Sequence, residues 1–176
     1  MNLVLIGYRG TGKSTLSNSM SKRLAIQVHH MDAMLEKRFG EKIAAYVEKN
    51  GWPSFRDEEQ KLAEELSNKS GVIIDCGGGV VTREQNMQFL KRKGFVVWLQ
   101  ADPVTIARRI GGDQNRPSLT GAKSTTDEIT EVLEERTPMY QSPADVEIDT
   151  VQYPFNDCLD QIEAAWRRHL ETLETA

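Results

Sequence analysis

Short apolar runs alternate with longer amphipathic stretches along this chain of 176 residues. Runs that are apolar on both sides are typical of buried strands, whereas the spacing of Leu16, Met20 and Leu24 is typical of a helix with one apolar face. The pattern predicts strands at residues 3–6, 28–31, 72–74, 96–99 and 146–148. It predicts helices at residues 13–24, 52–66, 84–93, 103–110, 126–140 and 156–173, with one or two short helices within 33–50.

The boundaries of these elements also carry signals. Gly40 and Gly51 are expected to break the helical stretch between the second and third strands. Asp102 followed by Pro103 predicts a capped helix start. Residues 111–125, rich in Gly, Ser, Thr, Asn and Lys, predict a mobile loop that would act as a lid.

The alternation of strand and helix sets the fold class. Parallel strands that are apolar on both faces must be covered by helices on both sides. We therefore predict a three-layer α/β/α fold with a central parallel five-stranded sheet. The chain has no internal repeat and no linker, so residues 1–176 are expected to form a single domain.

Composition narrows the possible partners. The 22 basic and 26 acidic residues give a net charge of −4, which argues against sequence-independent binding of nucleic acid. No apolar run is long enough to span a bilayer, and no signal peptide is visible, so a cytoplasmic protein is expected. Two cysteines, Cys76 and Cys158, are expected to be reduced, buried thiols. No exposed apolar stripe is evident, so the chain is expected to be a monomer.

One motif stands out after the first predicted strand. Residues 7–14, Gly-Tyr-Arg-Gly-Thr-Gly-Lys-Ser, fit the pattern G-x-x-x-x-G-K-[ST] between a strand and a helix. Glycines allow backbone N–H groups to turn toward phosphate oxygens, and the helix N-terminus adds partial positive charge. Lys13 can reach the terminal phosphates, and the Ser14 hydroxyl suits one coordination position of Mg²⁺. The motif predicts nucleotide binding but does not identify the phosphoryl acceptor.

A second glycine run follows the third predicted strand. Gly77, Gly78 and Gly79 succeed Asp75 and Cys76 at the edge where ligands of open parallel sheets bind. Three glycines favour a backbone pressed against a ligand, the alternative being a simple turn between strand and helix. Asp75 ends an apolar run in the manner of a carboxylate that holds Mg²⁺ through water.

Other polar residues are candidates for the acceptor side. Asp32 could accept a hydroxyl proton or bind a polyol, or could instead cap a helix beginning at residue 33. Arg56 rises from an apolar patch and suits bidentate capture of a carboxylate, with Glu59 three residues on to orient it. Arg116, in the predicted lid, could neutralise charge during phosphoryl transfer. Arg136 lies near the end of a predicted helix.

Taken in order, these motifs resemble those of the shikimate kinases, small P-loop enzymes of the nucleoside-monophosphate-kinase structural class. The resemblance covers roughly residues 1–150. Its most specific parts are Phe55-Arg56 with Glu59, the run Gly77–Gly79, residues 116–121 (Arg-Pro-Ser-Leu-Thr-Gly), and Glu135-Arg136 with Pro138 and Tyr140. It implies ATP-dependent phosphorylation of the shikimate 3-hydroxyl, with Mg²⁺ and with shikimate as the small-molecule partner.

The resemblance also implies roles for individual residues. The residues expected to hold the ATP phosphates are Gly10, Thr11, Gly12, Lys13, Ser14 and Thr15, with Ser14 on Mg²⁺. The residues expected to bind shikimate are Asp32, Arg56, Gly77, Gly78, Gly79 and Arg136. Arg116 would meet the transferring phosphoryl group, and Arg109 would lie beside the adenine. Lys13, Asp32 and Arg116 would be the catalytic residues, with residues 32–62 as the substrate-binding segment and residues 111–125 as the lid.

The sequence departs from the family pattern at three places that matter. The family commonly carries D-x-D at the end of the second strand, where this chain has His30-Met31-Asp32. Asp75 stands where the family often has a small or hydroxyl residue, and we expect it to compensate for the missing first acid by holding the water shell of the metal. Residues 149–154 match the basic pattern usual on the adenine side only in part. Two alternatives remain: another small-molecule P-loop kinase, such as a gluconate kinase, or a nucleotide-binding regulatory module without turnover.

Overall fold

The centre of the fold is a parallel sheet of five strands. A computed structural model of the chain describes residues 1–111 and 124–175. The strands are β1 (Asn2–Ile6), β2 (Val28–His30), β3 (Ile73–Asp75), β4 (Gly94–Gln100) and β5 (Val146–Asp149). They lie in the order β2-β3-β1-β4-β5, and every neighbouring pair is parallel. This order places the ends of β1, β2 and β3 side by side.

Helices connect the strands and cover both faces of the sheet. They are α1 (Lys13–Leu24), α2 (Met31–Phe39), α3 (Ile43–Ser67), α4 (Glu84–Lys91), α5 (Pro103–Ile110), α6 (Thr125–Gln141) and α7 (Phe155–Glu174). A short 3₁₀ helix, Val80–Thr82, follows the second glycine run.

Two apolar clusters hold the layers together. On one face, β1 residues such as Val4 and Ile6 pack with side chains from α2, α3 and α4. On the other face, Leu3 and Leu5 pack with side chains from α1 and α7. Alternate residues of β1 thus pack into the apolar clusters on opposite faces of the sheet, as expected for a strand buried on both sides. The predicted three-layer fold with a central parallel five-stranded sheet is confirmed.

The expected break at Gly51 is confirmed. Helix α3 consists of two helical segments that meet at Gly51, whose φ of 80° and ψ of 162° are not helical.

Other boundaries differ from those predicted. Strand β4 runs from Gly94 to Gln100, longer than predicted, because it pairs with β1 on one side and β5 on the other. The edge strand β2 ends at His30, since it has only β3 as a partner.

The structure also bears on the cysteines, the predicted lid and the question of membrane-spanning helices. Both cysteines are free and buried, and burial raises the pKa of the Cys76 and Cys158 thiols, which keeps them protonated. The predicted lid lies almost wholly outside the described residues, and Arg116 with it. Within residues 1–111 and 124–175, no helix is both long enough and apolar enough to cross a membrane.

Candidate active site

The turn between β1 and α1 has the backbone of a phosphate-binding loop. Gly7, Gly10 and Gly12 all have positive φ, at 138°, 79° and 96°. Residues with a side chain rarely adopt these backbone angles, which explains the glycines at these positions of the motif. Gly12 precedes the first residue of α1, so the loop delivers its N–H groups to the N-terminus of that helix. The loop thus offers partial positive charge where a phosphate would sit.

Two side chains at the start of α1 extend this anion site. The Lys13 ammonium is buried and donates hydrogen bonds to the carbonyl groups of Gly7 at 2.8 Å and Tyr8 at 3.0 Å. The Ser14 hydroxyl donates to the Asp75 carboxylate at 2.7 Å. Lys13 is therefore held over the loop, and Ser14 is tied to the end of β3.

The second glycine run forms a closely packed floor beside the phosphate loop, and its Gly78 lines the cleft there. Gly77, Gly78 and Gly79 are buried between β3 and the 3₁₀ helix. A Cβ atom at Gly77 would lie 2.7 Å from Asp32 Oδ1 and 2.9 Å from Glu59 Oε1. Two carboxylates therefore flank Gly77, and a side chain there would force both of them to shift.

Arg56 lies against the next glycine. A Cβ atom at Gly79 would overlap its guanidinium group. The guanidinium also donates to Glu59 Oε2 at 2.6 Å, and its Cζ lies 5.2 Å from the ring centroids of Trp52 and Phe55. Because Glu59 is 1% exposed, this ion pair is shielded from water and fixes the direction of Arg56. The orienting contact expected from the i, i+3 spacing is present.

Arg136 approaches the same floor from α6. Its Nη1 donates to the Gly78 carbonyl at 3.4 Å, and the Tyr140 hydroxyl donates to the same oxygen. Burial raises the pKa of Tyr140 above its ordinary value, so the hydroxyl keeps the hydrogen that it donates. Arg56 and Arg136 therefore meet the glycine run at adjacent residues, from α3 and α6 respectively.

The glycine floor adjoins the phosphate loop directly. A Cβ atom at Gly78 would lie 3.2 Å from the backbone nitrogen of Arg9 and 3.6 Å from the Gly7 carbonyl oxygen. A single cleft of about 1010 Å³ runs along both features. It is lined by the phosphate loop, Asp32, Asp75 and Gly78. Arg56 and Arg136 are not among its lining residues and contact the glycine run at Gly79 and Gly78. The two guanidinium groups therefore lie next to a glycine that the phosphate loop also contacts.

The far end of the cleft is formed by α5 and the turn after β5. Arg109 donates to the Gly10 carbonyl at 3.2 Å, to the Thr150 hydroxyl at 2.9 Å and to the Thr150 carbonyl at 3.0 Å. The ring of Phe155, which is 45% exposed, also lines the cleft. A flat cation and an aromatic ring at this end could contact a nucleotide base.

A scan against family models matches residues 9–167 to the shikimate kinase model. The chain belongs to the shikimate kinase family. The resemblance drawn from the motifs is confirmed, as is the predicted enzyme class, an ATP-dependent kinase. Its activity is that of the family, the phosphorylation of shikimate by ATP.

Individual relatives support this assignment. A shikimate kinase from Dehalococcoides mccartyi is 33% identical over 171 residues, which cover 97% of this chain and 96% of that protein. A solved shikimate kinase from Acinetobacter baumannii in complex with shikimate superposes with a TM-score of 0.85 at 27% identity, over 97% of this chain and 93% of that one. A gluconokinase from Sinorhizobium meliloti shares only the fold, with a TM-score of 0.62 at 16% identity, covering 99% of this chain and 95% of that one.

Asp32 lies in the first turn of α2. The alternative that Asp32 caps a helix is wrong, because α2 already begins at Met31 and His30 is its N-cap. The short ladder of β2 explains this early start. Arg116 lies outside the described residues.

Among the cleft residues that sequence reasoning missed, three have side chains suited to binding or positioning a ligand. Asn18 lies one helical turn after Ser14, a spacing that could have revealed it. Arg9, within the phosphate motif, lies 3.5 Å from Glu128. Phe155 gave no signal, because an aromatic residue at the start of a helix is usually read as core.

Proposed function

We propose that the cleft transfers the γ-phosphoryl group of ATP to the 3-hydroxyl of shikimate, giving shikimate 3-phosphate and ADP. The observation that carries this proposal is the contact of Gly78 with the phosphate loop, within 3.2 Å of the Arg9 nitrogen for an added Cβ atom. That contact joins a loop for polyphosphate to a floor bordered by two guanidinium groups. A donor anion and an acidic acceptor bound there would be neighbours.

On the acceptor side, Arg56 and Arg136 would bind the shikimate carboxylate. Their contacts at Gly79 and Gly78 bring two fixed positive charges to one small region. Asp32 and Glu59, which flank Gly77, would accept hydrogen bonds from the ring hydroxyl groups. The buried pair of Glu59 with Arg56 would set the orientation of that arginine before the substrate arrives.

On the donor side, residues 10–15 would hold the phosphates of ATP. Lys13 would exchange its contacts with the Gly7 and Tyr8 carbonyls for contacts with the β- and γ-phosphates. Arg109 would lie beside the adenine. Most of the rate enhancement would come from placing the reacting atoms in line and neutralising charge on the transferring group.

The acceptor hydroxyl needs a group that takes its proton. Asp32 lies at the floor beside Gly77 and also lines the cleft, so it is the carboxylate placed to orient the hydroxyl and receive its proton late in transfer. Arg116 of the predicted lid would stabilise the charge that develops on the phosphoryl group.

The oxygen ligands at the end of β3 fit Mg²⁺. Ser14 and Asp75 offer a hydroxyl and a carboxylate 2.7 Å apart, the hard donors this ion prefers. In the described parts of the chain, no three His, Cys, Asp or Glu side chains converge to hold a metal alone, so phosphate oxygens and water would complete the site. Bound there, Mg²⁺ would neutralise charge on the β- and γ-phosphates. Ser14 would ligate it directly and Asp75 through water.

We also propose the organisation of the whole chain. Residues 1–176 would form one kinase domain, in which residues 32–62 carry the acceptor site and residues 111–125 form a lid. The protein would act as a cytoplasmic monomer. Light scattering after gel filtration gives the mass in solution, and the 19.9 kDa of one chain is the expected value.

A direct test is shikimate-dependent release of ADP, measured alongside a panel of other acceptors that includes gluconate. We expect turnover with shikimate, and phosphorus NMR of the product should place the new ester on the 3-oxygen. Preference for gluconate would overturn the proposal in favour of another small-molecule kinase. Nucleotide binding without turnover on any acceptor would favour a regulatory module.

A further inference from the structure

Two neighbouring strands bring a histidine and a carboxylate together beside the phosphate loop. In the register of β2 and β3, His30 is the partner of Asp75. Nδ1 of His30 lies 2.7 Å from Asp75 Oδ2, the same oxygen that accepts the hydrogen bond from Ser14. Asp75 is 5% exposed, so these contacts, rather than solvent, set the position of its carboxylate.

The histidine ring is fixed on its other side by α1. Nε2 of His30 lies 3.1 Å from Asn18 Oδ1. The amide nitrogen of Asn18 donates to the Ser14 carbonyl at 2.7 Å, which determines the end of the amide that faces the ring. The contacts therefore form a closed circuit from Ser14 through Asp75, His30 and Asn18 back to Ser14.

This circuit links a helix to two strands, which a simple ion pair between neighbouring strands would not do. Ser14 and Asn18 are one turn apart on α1, whereas His30 and Asp75 lie on adjacent strands. The circuit thus ties the helix that begins at the phosphate loop to the strand ends that face it. All four residues line the cleft, on the side of the phosphate loop.

We infer that His30 is a positioning residue that holds the Asp75 carboxylate against the Ser14 hydroxyl, and that Asn18 orients the His30 ring for this purpose. The inference rests on the proposed function, in which Ser14 and Asp75 form the protein side of the Mg²⁺ site. His30 acts through Asp75 and contributes no ligand of its own. Partners that orient metal-binding groups typically change metal affinity by about 10- to 100-fold when removed.

The test measures metal binding without turnover. Mn²⁺ is titrated into the enzyme with ADP present, and free Mn²⁺ is read from its paramagnetic resonance signal. We expect His30→Ala to weaken Mn²⁺ binding about tenfold or more, since it removes the partner of Asp75. His30→Asn should recover much of the affinity, because its amide nitrogen can occupy the place of Nδ1.

A double-mutant comparison separates positioning from a general structural effect. If His30 acts through Asp75, His30→Ala should weaken Mn²⁺ binding no further in an Asp75→Asn background. Additive losses would overturn the inference. The KM for shikimate should change less than twofold in His30→Ala, while the Mg²⁺ concentration for half-maximal rate rises.

The neighbouring histidine supplies a matched control. His29 is on the same strand but, by the alternation of strand side chains, on the opposite face, and it does not line the cleft. His29→Ala should leave Mn²⁺ affinity unchanged. If His30→Ala does not fold, Asn18→Ala and His30→Asn test the same circuit, and unchanged Mn²⁺ affinity in Asn18→Ala would refute the part assigned to Asn18.

The outcomes distinguish this inference from the proposed function. Wild-type turnover on shikimate with Mn²⁺ affinity unaffected by His30→Ala would reject the inference alone. The expected Mn²⁺ pattern in a protein that does not phosphorylate shikimate would reject the proposed function and leave the positioning role of His30 intact.

Discussion

Arg136 reaches the glycine floor from a buried position on α6, with its Nη1 on the Gly78 carbonyl. We expect Arg136→Ala to raise the KM for shikimate about 10- to 100-fold, because a hydrogen bond to a charged group contributes roughly 1.5–3 kcal/mol. The KM for ATP should change little. Steady-state kinetics with each substrate varied in turn provides the measurement, and equal effects on both KM values would contradict the carboxylate assignment.

Gly79 offers a second test at the residue scale. Its missing side chain makes room for the Arg56 guanidinium, so Gly79→Ala should displace Arg56 and raise the KM for shikimate about tenfold or more. Gly71→Ala is the matched control, outside the acceptor segment. A Cβ atom at Gly71 would meet nothing within 4 Å, and its positive φ of 68° predicts a loss of stability with unchanged KM. A normal KM in Gly79→Ala would contradict the proposed acceptor site.

At the residue scale, the sequence predicted the kind of site that a residue forms better than it predicted which side chains contact one another. The types and spacing of Lys13, Arg56 and Asp75 suggested anion, carboxylate and metal sites. The circuit through Asn18 and His30 could not be predicted, because it depends on the register of β2 against β3 and on the packing of α1 over both strands. Local spacing contains no information about either.

At the scale of an element, α5 shows how a local signal fixes a boundary. Asp102 caps the helix, accepting a hydrogen bond from the Thr105 N–H at 2.9 Å, and this bond lowers the pKa of Asp102 below its ordinary value. A lowered carboxyl pKa stabilises the fold above the unfolded value of about 3.9, and the contribution is lost as the pH falls through the folded pKa.

We therefore expect Asp102→Asn, which keeps a capping oxygen but cannot titrate, to differ from wild type in a pH-dependent way. The advantage of wild type in melting temperature should be largest near pH 6 and shrink as the pH falls below about 4. Melting curves from pH 6 to pH 2.5 provide the measurement. A difference that stays constant over this range would show that the Asp102 charge has no part in the cap.

Elements were predicted well where their signals are local. The bounds of α1 and α5 agree with the prediction, since the phosphate loop fixes one start and Asp102 with Pro103 the other. Strand β4 was underestimated, because Gly94 and Gln100 join it through pairing with its neighbours rather than through apolar character. The break at Gly51 was predicted correctly, because a glycine within a helical pattern is a local signal.

At the scale of the whole molecule, the binding sites for the two substrates are built from different elements. The donor site rests on β1 and α1, whereas the acceptor site draws its arginines from α3 and α6. Binding stabilises a folded protein by about 2.7 kcal/mol at a ligand concentration of 100 Kd. For a chain of this length, that corresponds to a rise in melting temperature of roughly 5–10 °C.

We expect the two stabilisations to be separable. Lys13→Ala should lose the rise in melting temperature caused by ADP and keep that caused by shikimate, while Arg136→Ala should show the opposite pattern. Thermal unfolding with each ligand at 100 times its wild-type Kd tests this. Loss of both responses in either variant would mean that the two sites are not supported independently.

The floor of the acceptor pocket is made of main chain at Gly77, Gly78 and Gly79, with a neighbouring group lying within 3.2 Å of where each missing side chain would begin. An inhibitor that rests on this floor would contact atoms that no mutation can remove. Resistance through these three positions would require adding a side chain, which would displace Asp32 and Glu59 at Gly77, crowd the Arg9 main chain at Gly78, or displace Arg56 at Gly79. Compounds anchored on these peptide groups should therefore select resistant variants less readily than compounds anchored on the surrounding side chains.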